Sequence, residues 1–340
     1  MRMKAIEIRG HGGPEVLHLA ERPVPVCGQG EVLLEVAAAG VNRPDVQQRK
    51  GLYPPPAGVT DIPGLDVAGV VVAVGPDVDW PKVGDAVCAL AAGGGYAEFC
   101  LVPALQCMPV PRGFTFAQAA TLPEVFFTAW NNVIWLGRLA EGETLLVQGG
   151  TSGVGLAAMQ IGKQLRGAAV LATSSSAAKQ AICLEMGADA VVNYRDTDWA
   201  EQLRALTGGR GMDVILDGQG GDYTPVELGL LAPDGRLVLI ASHRAPKAEI
   251  STREIYIRRL TLTGSTLRAR PAAYKGRIAR ELVEQVWPLL EDGRIRTHIC
   301  GVHPLTEAAA AQAVLDANEQ IGKLVLTVSG LAETVPEPLT

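Results

Sequence analysis

The stretch Leu145-Leu146-Val147-Gln148-Gly149-Gly150-Thr151-Ser152-Gly153-Val154-Gly155 decides the fold, because an apolar segment runs there into closely spaced glycines. Helix-forming residues follow directly, from 156 to 161. This order is typical of the strand–turn–helix that opens a dinucleotide-binding unit, where N–H groups at the helix N-terminus hold a pyrophosphate. Ser152 stands where a glycine is commoner, so the usual G-x-G-x-x-G spacing is present only as a variant. The structural alternative is a glycine-rich loop between any buried strand and helix.

The segments that follow favour the dinucleotide-binding interpretation. Apolar runs and helical periodicity predict further strands at 168–173, 190–194, 212–217 and 235–240, with helices at 199–206 and 223–231 between them. Strands that alternate with helices in this way form a parallel sheet covered on both faces. The sequence therefore predicts an α/β fold with a doubly wound, Rossmann-type parallel sheet.

The end of the strand predicted at 168–173 bears on the choice between the two nicotinamide cofactors, NADH and NADPH. An NAD site places a carboxylate about 20 residues beyond the glycines, where it accepts hydrogen bonds from the ribose. Here that position reads Thr173-Ser174-Ser175-Ser176-Ala177-Ala178-Lys179, with hydroxyls, one lysine and no acid. Hydroxyl donors and a lysine suit a 2′-phosphate, so the sequence favours NADPH. The alternative for Lys179 is an ordinary solvated helix residue.

Length and composition are those of a two-domain cytoplasmic enzyme. The 340 residues exceed the size at which a single core usually stops growing. The net charge of −6 comes without basic clusters, which argues against a specific nucleic-acid partner. No apolar run suits a membrane span, no leader-like segment opens the chain, and the six cysteines include no C-x-x-C pair. The proline-containing segment 331–340 is predicted to be a mobile tail.

The residues before the glycine-rich stretch predict a different kind of domain. Short apolar strands at 31–36, 67–74 and 97–102 alternate with Gly/Pro turns. Such spacing suggests a compact β-barrel-like domain. A β-rich domain that precedes a nucleotide-binding domain is an uncommon order, and it narrows the choice of families.

With this order of domains, the chain resembles the medium-chain dehydrogenase/reductase family. The resemblance covers almost the whole chain and is carried by the segments Gly30–Val36, Gly40–Asp45, Pro63–Gly69, Val83–Val87 and Ile321–Leu326. It implies a GroES-like catalytic domain over 1–122, to which 296–330 returns. It also implies a Rossmann NADPH-binding domain over 123–295.

The zinc ligands of that family are missing from this sequence. Zinc-dependent members carry a cysteine in the segment that here reads 40–45 and a His-Glu pair after the Pro-Gly, to supply a thiolate and an imidazole. Asn42 and Leu65-Asp66 stand at those places. The four-cysteine lobe of a structural zinc is also missing, and the five histidines show no metal-ligand spacing. We therefore expect no metal site and a zinc-independent enzyme.

Loss of zinc with retention of the cofactor is the pattern of the quinone oxidoreductase, or zeta-crystallin-like, branch. The segments 42–45, 51–56 and 122–130 resemble its signatures, most closely those of the tumour-suppressor-inducible quinone oxidoreductase subgroup. The residues that the resemblance places around the nicotinamide and the substrate are Asn42, Asp45, Tyr53, Glu124 and Thr128. The rest of the cofactor site is expected to be lined by Gly149, Gly150, Ser152, Gly153, Val154, Ser174, Lys179, Tyr194 and Asn318. Structural alternatives are that Asp45 only caps a helix and that Tyr53 only packs on its proline turn.

The activity that follows is NADPH-dependent reduction of quinones or related conjugated carbonyls. Without a metal the acceptor must take hydride readily, and positioning supplies much of the rate. Asn42 and Tyr53 are the candidate donors to a developing oxyanion. Two alternatives stay open: an NADPH-dependent enoyl or enone reductase on the same scaffold, and a non-catalytic NADPH-binding or structural protein. A short-chain dehydrogenase is excluded, because no tyrosine is followed by a lysine four residues on.

The segment 260–265 bears on assembly. It is β-prone and uncharged, and it comes last among the predicted coenzyme-domain strands, so we expect it at a sheet edge. A bare edge is an aggregation hazard unless it is covered or paired, and a two-fold axis is the commonest way to pair it. We therefore predict a homodimer through the edge of the Rossmann sheet.

Overall fold

The computed structural model describes residues 1–337. The strands, in chain order, are β1 (Arg2–Ile8), β2 (Leu17–Pro23), β3 (Glu31–Val41), β4 (Asp66–Val74), β5 (Ala86–Leu90), β6 (Phe99–Pro103), β7 (Cys107–Pro109), β8 (Thr144–Val147), β9 (Ala169–Ser174), β10 (Ala190–Asn193), β11 (Met212–Asp217), β12 (Leu231–Leu239), β13 (Thr261–Gly264), β14 (Ile299–Pro304) and β15 (Lys323–Thr327). The α-helices are α1 (Arg43–Arg49), α2 (Phe116–Ala119), α3 (Pro123–Ala129), α4 (Gly153–Arg166), α5 (Ala177–Glu185), α6 (Trp199–Leu206), α7 (Tyr223–Leu230), α8 (Thr252–Arg258), α9 (Ala272–Gln285), α10 (Trp287–Glu291) and α11 (Ala308–Asp316). A π-helix covers Trp130–Leu136, and 3-10 turns cover Pro14–Val16, Ala104–Gln106 and Leu305–Glu307.

The chain divides into two compact units. The first comprises Met1–Phe127, Leu267–Gly293 and the residues from Thr297 onward. The second comprises Thr128–Thr266 and Arg294–Arg296.

The first unit is built around the long strand β3. It pairs antiparallel with β4, with β15 and, through its first residues, with β6. The sheet runs in the order β14-β15-β3-β4-β5-β7, while β1 and β2 form a separate ribbon. Nearly all of β3 is buried, because its apolar side chains pack into two clusters of the core. This unit is the GroES-like domain that the sequence predicts.

The second unit is a parallel sheet in the order β10-β9-β8-β11-β12-β13. Counted within the unit, this is the Rossmann order 3-2-1-4-5-6. The predicted α/β fold is thereby confirmed, and β11 and α6 have the predicted bounds. The switch point of such a sheet lies between its first and fourth strands, here β8 and β11, where ligands bind beyond the carboxyl ends. The glycine-rich turn follows β8 directly.

Three boundaries differ from those expected. Residues 267–293, expected in the Rossmann domain, belong to the first unit because α9 packs on β7 and on the 3-10 turn before it. The strand expected from 235 begins at Leu231. In the segment expected to be a mobile tail, the buried Ala332 accepts a hydrogen bond from the Ala117 N–H at 2.8 Å, so this part is attached. Residues 338–340 of that segment lie outside the described residues.

Candidate active site

The glycine-rich turn in the second unit is organised by Ser152, the N-cap of α4. Its Oγ accepts from the Gly155 N–H at 3.0 Å and donates to the Gly149 carbonyl at 2.9 Å. A Cβ on Gly155 would lie 2.7 Å from the carbonyl oxygens of Gly149 and Gly150, so no side chain fits there. The departure from the glycine pattern at Ser152 is therefore explained, because a serine caps the helix where a glycine cannot.

The end of β9 carries the residues predicted to select the cofactor. The Ser174 hydroxyl is buried and has no hydrogen-bond partner within residues 1–337. The Tyr194 N–H donates to the Ser174 carbonyl at 3.1 Å, so these two strand ends lie side by side. Lys179 lies in the first turn of α5, whose cap is Ser176. The unit thus gathers Ser174, Lys179 and Tyr194, and the orphaned hydroxyl fits a bound dinucleotide as its missing partner.

A buried polar network that the sequence did not predict lies beneath the turn. Thr173 Oγ1 accepts from the Gly149 N–H at 3.1 Å and donates to Gln148 Oε1 at 2.5 Å. Glu227 of α7 is fully buried close to Gln148 and Asp217. Burial, and then the neighbouring Asp217, raise the pKa of Glu227 well above its usual range. Burial therefore favours the neutral form of Glu227, next to the Asp217 carboxylate that ends β11.

In the first unit, Asn42 belongs to a buried hydrogen-bonded cluster with Asp66 and Lys323. The Lys323 ammonium donates to Asp66 Oδ2 at 2.8 Å and to Asn42 Oδ1 at 2.5 Å. Asn42 Nδ2 donates to Asp66 Oδ2 at 2.8 Å and to the Gly40 carbonyl at 3.4 Å. Lys323 begins β15, Asp66 begins β4 and Asn42 directly follows β3, so the three residues lie at one end of neighbouring strands. Both amide hydrogens of Asn42 have acceptors within the protein, so its expected donation to an oxyanion is not supported.

Asp45 is a fully buried helix-capping carboxylate. It accepts from the Asn42 N–H at 2.8 Å, the Tyr96 hydroxyl at 3.1 Å and the Gly64 N–H at 3.2 Å. Burial nevertheless raises the pKa of Asp45 to about 6. Of the two predicted roles for Asp45, the contacts match the capping alternative.

The Tyr53 ring lies against Arg268, and the charge of Glu124 affects the pKa of its hydroxyl. The Arg268 guanidinium carbon lies 5.4 Å from the centre of the Tyr53 ring, and Arg268 Nη1 donates to the Tyr53 carbonyl at 3.3 Å. Burial raises the pKa of Tyr53, the Arg268 charge opposes the rise, and Glu124 adds to it. The Glu124 N–H donates to Asp66 Oδ1 at 2.5 Å, which ties the start of α3 to the Lys323 cluster.

The last two predicted residues lie at separate places. Thr128 belongs to the second unit, where its carbonyl accepts from Asn132 Nδ2 at 2.8 Å. Asn318 follows α11 in the first unit with φ at +55°. Its Oδ1 accepts from Arg43 Nη2 at 2.5 Å, beside the start of α1.

Each unit therefore contains a set of the predicted residues. The first unit contains Asn42, Asp45, Tyr53, Glu124 and Asn318, and the second contains the glycine turn, Thr128, Ser174, Lys179 and Tyr194. Lys323 and Arg268 were missed. A charged residue at the head of the apolar run Lys323-Leu324-Val325-Leu326 is a signal that could have drawn attention to Lys323.

Comparison with known proteins places the chain in a family. The pattern of the zinc-binding dehydrogenase family matches residues 153–284, and that of the alcohol dehydrogenase GroES-like domain matches residues 28–112. A quinone oxidoreductase from Rattus norvegicus is 32% identical over 327 residues, which cover 95% of this chain and 97% of the relative. The chain belongs to the medium-chain dehydrogenase/reductase family.

Solved structures of similar proteins agree with this placement. A mycobacterial protein complexed with NADPH has a TM-score of 0.85 and 32% identity, and the match covers 96% of this chain and all of that one (100%). An NAD-dependent alcohol dehydrogenase has a TM-score of 0.83 at 32% identity, again over 96% of this chain and 100% of that one. This medium-chain dehydrogenase/reductase is accordingly an oxidoreductase with a nicotinamide-binding fold.

Within residues 1–337, no helix has the length and apolar character needed to cross a membrane. Over the same residues, no three His, Cys, Asp or Glu side chains come together as a set that could hold a metal ion.

Proposed function

We propose that this medium-chain dehydrogenase/reductase is a zinc-independent, NADPH-dependent quinone oxidoreductase. The observation that carries the proposal is the buried Lys323 ammonium, which donates to Asn42 and Asp66, two residues of the segments in which zinc-dependent members carry their ligands. The quinone as acceptor is supported by the relatives, among which the rat protein bears the name quinone oxidoreductase.

The Lys323 cluster argues against zinc through both charge and ligand chemistry. A metal cation bound by Asp66 would be repelled by the Lys323 ammonium, which lies 2.8 Å from the same carboxylate in a buried site. Asn42 and Leu65 offer neither a thiolate nor an imidazole, which are the ligands that zinc prefers. The carboxylate of this cluster, Asp66, is already paired with Lys323 at 2.8 Å.

The residues at the end of β9 support NADPH over NADH. No Asp or Glu occurs from Thr173 to Leu184, so no carboxylate there repels a 2′-phosphate. The unpartnered Ser174 hydroxyl and Lys179 supply a donor and a positive charge. The helix N-terminus capped by Ser152 would hold the pyrophosphate. When bound, NADPH supplies the hydride.

The chain's own residues then position and stabilise the acceptor. The raised pKa of Tyr53 keeps its hydroxyl protonated at neutral pH, so it can donate to an acceptor oxygen. The Arg268 guanidinium over the Tyr53 ring favours negative charge at that place. Lys323 and Asp66 fix the orientation of the Asn42 amide, because a cation must face its oxygen and a carboxylate its nitrogen.

One assay separates the proposed quinone reductase from an enone reductase and from a non-catalytic binding protein, because the three differ in which acceptor, if any, they reduce. Initial rates of NADPH oxidation are measured with a naphthoquinone and with an enone of similar size. We expect kcat/KM to be at least about tenfold higher for the quinone. A higher value for the enone identifies an enone reductase, and no oxidation with either identifies a non-catalytic binding protein.

A matched pair of variants ties the activity to the site. Tyr53→Phe is expected to lower kcat/KM for the quinone about tenfold or more, by loss of one donor. Tyr256→Phe removes a hydroxyl from a tyrosine that is 68% exposed on α8 and should leave the rate unchanged.

A further inference from the structure

Buried cations in this protein fall into two groups. Among residues 1–337, the buried lysines and arginines are Arg49, Arg236, Lys323, Arg268 and Lys275. The first three each lie within ion-pair distance of a carboxylate, and the partners are Asp316, Glu143 and Asp66 in that order. Arg268 and Lys275 form the second group, because no carboxylate oxygen of the described chain lies within 4.0 Å of either.

The two unpaired cations are neighbours in the first unit. Lys275 Nζ donates to the Arg268 carbonyl at 3.3 Å, which is a long bond and the one that the described chain offers this ammonium. The Arg268 guanidinium donates to neutral oxygens: the Ala92 carbonyl at 2.7 Å, Gln48 Oε1 at 2.7 Å and the Tyr53 carbonyl at 3.3 Å. Only 8% of Arg268 and 4% of Lys275 is exposed.

Water and local carboxylates do little to compensate these charges. Burial lowers the pKa of Arg268 and of Lys275, and the charge of Arg268 lowers that of Lys275 further. Asp45 acts on Arg268 from beyond ion-pair distance, and it already accepts from Asn42, Gly64 and Tyr96. A buried charge is retained at a cost unless an anion pairs with it, and neither Arg268 nor Lys275 has such a partner among the described residues.

We infer that Arg268 and Lys275 form an anion-binding site beside Tyr53, which takes an ionised oxygen of the acceptor. The acceptors that it would select carry a carboxylate or an acidic hydroxyl on a planar conjugated ring. Tyr53 links the site to the acceptor, since its ring lies against Arg268 and its carbonyl accepts from the same guanidinium. Assignment of the anion to the acceptor rests on the proposed function, whereas the existence of the site does not.

The test uses benzoate and its neutral isostere benzamide as probes, with binding to the full-length protein measured by calorimetry. We expect wild type to bind benzoate at least about tenfold more tightly than benzamide. Lys275→Met should remove that preference while the melting temperature is kept or raised, because methionine replaces an unpaired buried charge with an apolar chain of similar length. A purely structural lysine would instead show a lower melting temperature and an unchanged preference. Lys82→Met, at an exposed lysine, is the matched control and should change neither quantity.

Three results would overturn the inference. The first is equal binding of benzoate and benzamide by wild type, and the second is a benzoate preference that survives in Lys275→Met. The third is loss of benzoate binding when NADPH is saturating, which would assign the charge to the cofactor. If Lys275→Met does not fold, Lys275→Gln provides the comparison, since it removes the charge, keeps a donor for the Arg268 carbonyl and should lose the preference. Because binding needs no turnover, a failure of quinone reduction and a failure of this site are separate results.

Discussion

At the residue scale, Asp45 shows how burial can outweigh hydrogen bonding. Three donors surround its carboxylate, yet burial raises the pKa from 3.8 to about 6. The folded protein therefore holds an extra proton between these two values. The stability that results is fully present below the unfolded pKa and is lost as pH rises through about 6. A shift of this size corresponds to about 3 kcal/mol at most.

Asp45→Asn should remove this pH dependence. From pH 4 to pH 7, the free energy of unfolding of wild type, measured with urea, should fall relative to that of the variant by up to about 3 kcal/mol. Asp61→Asn is the control, because Arg22 lowers the pKa of Asp61 and no such fall is expected. Parallel curves for wild type and Asp45→Asn would contradict the buried-carboxylate account.

Lys179 is the residue on which coenzyme choice is predicted to depend. Lys179→Glu should weaken NADPH far more than NADH, because it places a negative charge beside a 2′-phosphate. The wild-type preference for NADPH is expected to be at least about tenfold, or about 1.4 kcal/mol, within reach of one charge-assisted contact. Fluorescence titration with both coenzymes measures it. Lys179→Arg should keep the preference, and equal affinities of wild type for the two coenzymes would refute the prediction.

At the scale of elements, the turn between β8 and α4 depends on close packing of backbone against backbone. Gly155→Ala would place a Cβ 2.7 Å from two carbonyl oxygens, so the turn must shift. We expect NADPH affinity to fall about tenfold or more, with some loss of thermal stability. Gly229→Ala in α7 is the matched control, because the nearest atom to its Cβ would be 4.0 Å away. That variant should be neutral or slightly stabilising, and equal effects of the two would contradict the packing argument.

The elements with strong periodicity could be predicted from the sequence. β11 and α6 have the predicted bounds, because an unbroken apolar run and a clear helical period are local signals. The partners of Lys323 and the surroundings of Arg268 could not be predicted from the sequence. Each depends on contacts between segments more than 200 residues apart in the chain. The assignment of α9 to the first unit could not be predicted either. It depends on the packing of α9 on β7 and on the 3-10 turn before it, which are distant in the chain.

At the scale of the whole molecule, β13 lies at the edge of the second unit's sheet, as predicted. We expect two copies to pair through this edge, so light scattering at micromolar concentration should give the mass of a homodimer. Thr263→Lys should favour the monomer by placing a charge on the edge, and Thr263→Pro should do so by removing an N–H donor. Circular dichroism checks that both variants fold. A wild-type monomer would refute the dimer, and a dimer that both variants leave unchanged would refute this interface.

The central claim, that the Asn42, Asp66 and Lys323 cluster serves an enzyme that needs no zinc, is tested most directly by the NADPH–quinone rate of protein freed of zinc. The protein is dialysed against a chelator, its zinc content is measured by elemental analysis, and the initial rate is compared with that of untreated protein. We predict a zinc content far below one per chain and an unchanged rate. A rate that is lost on chelation and restored by stoichiometric zinc would contradict the account.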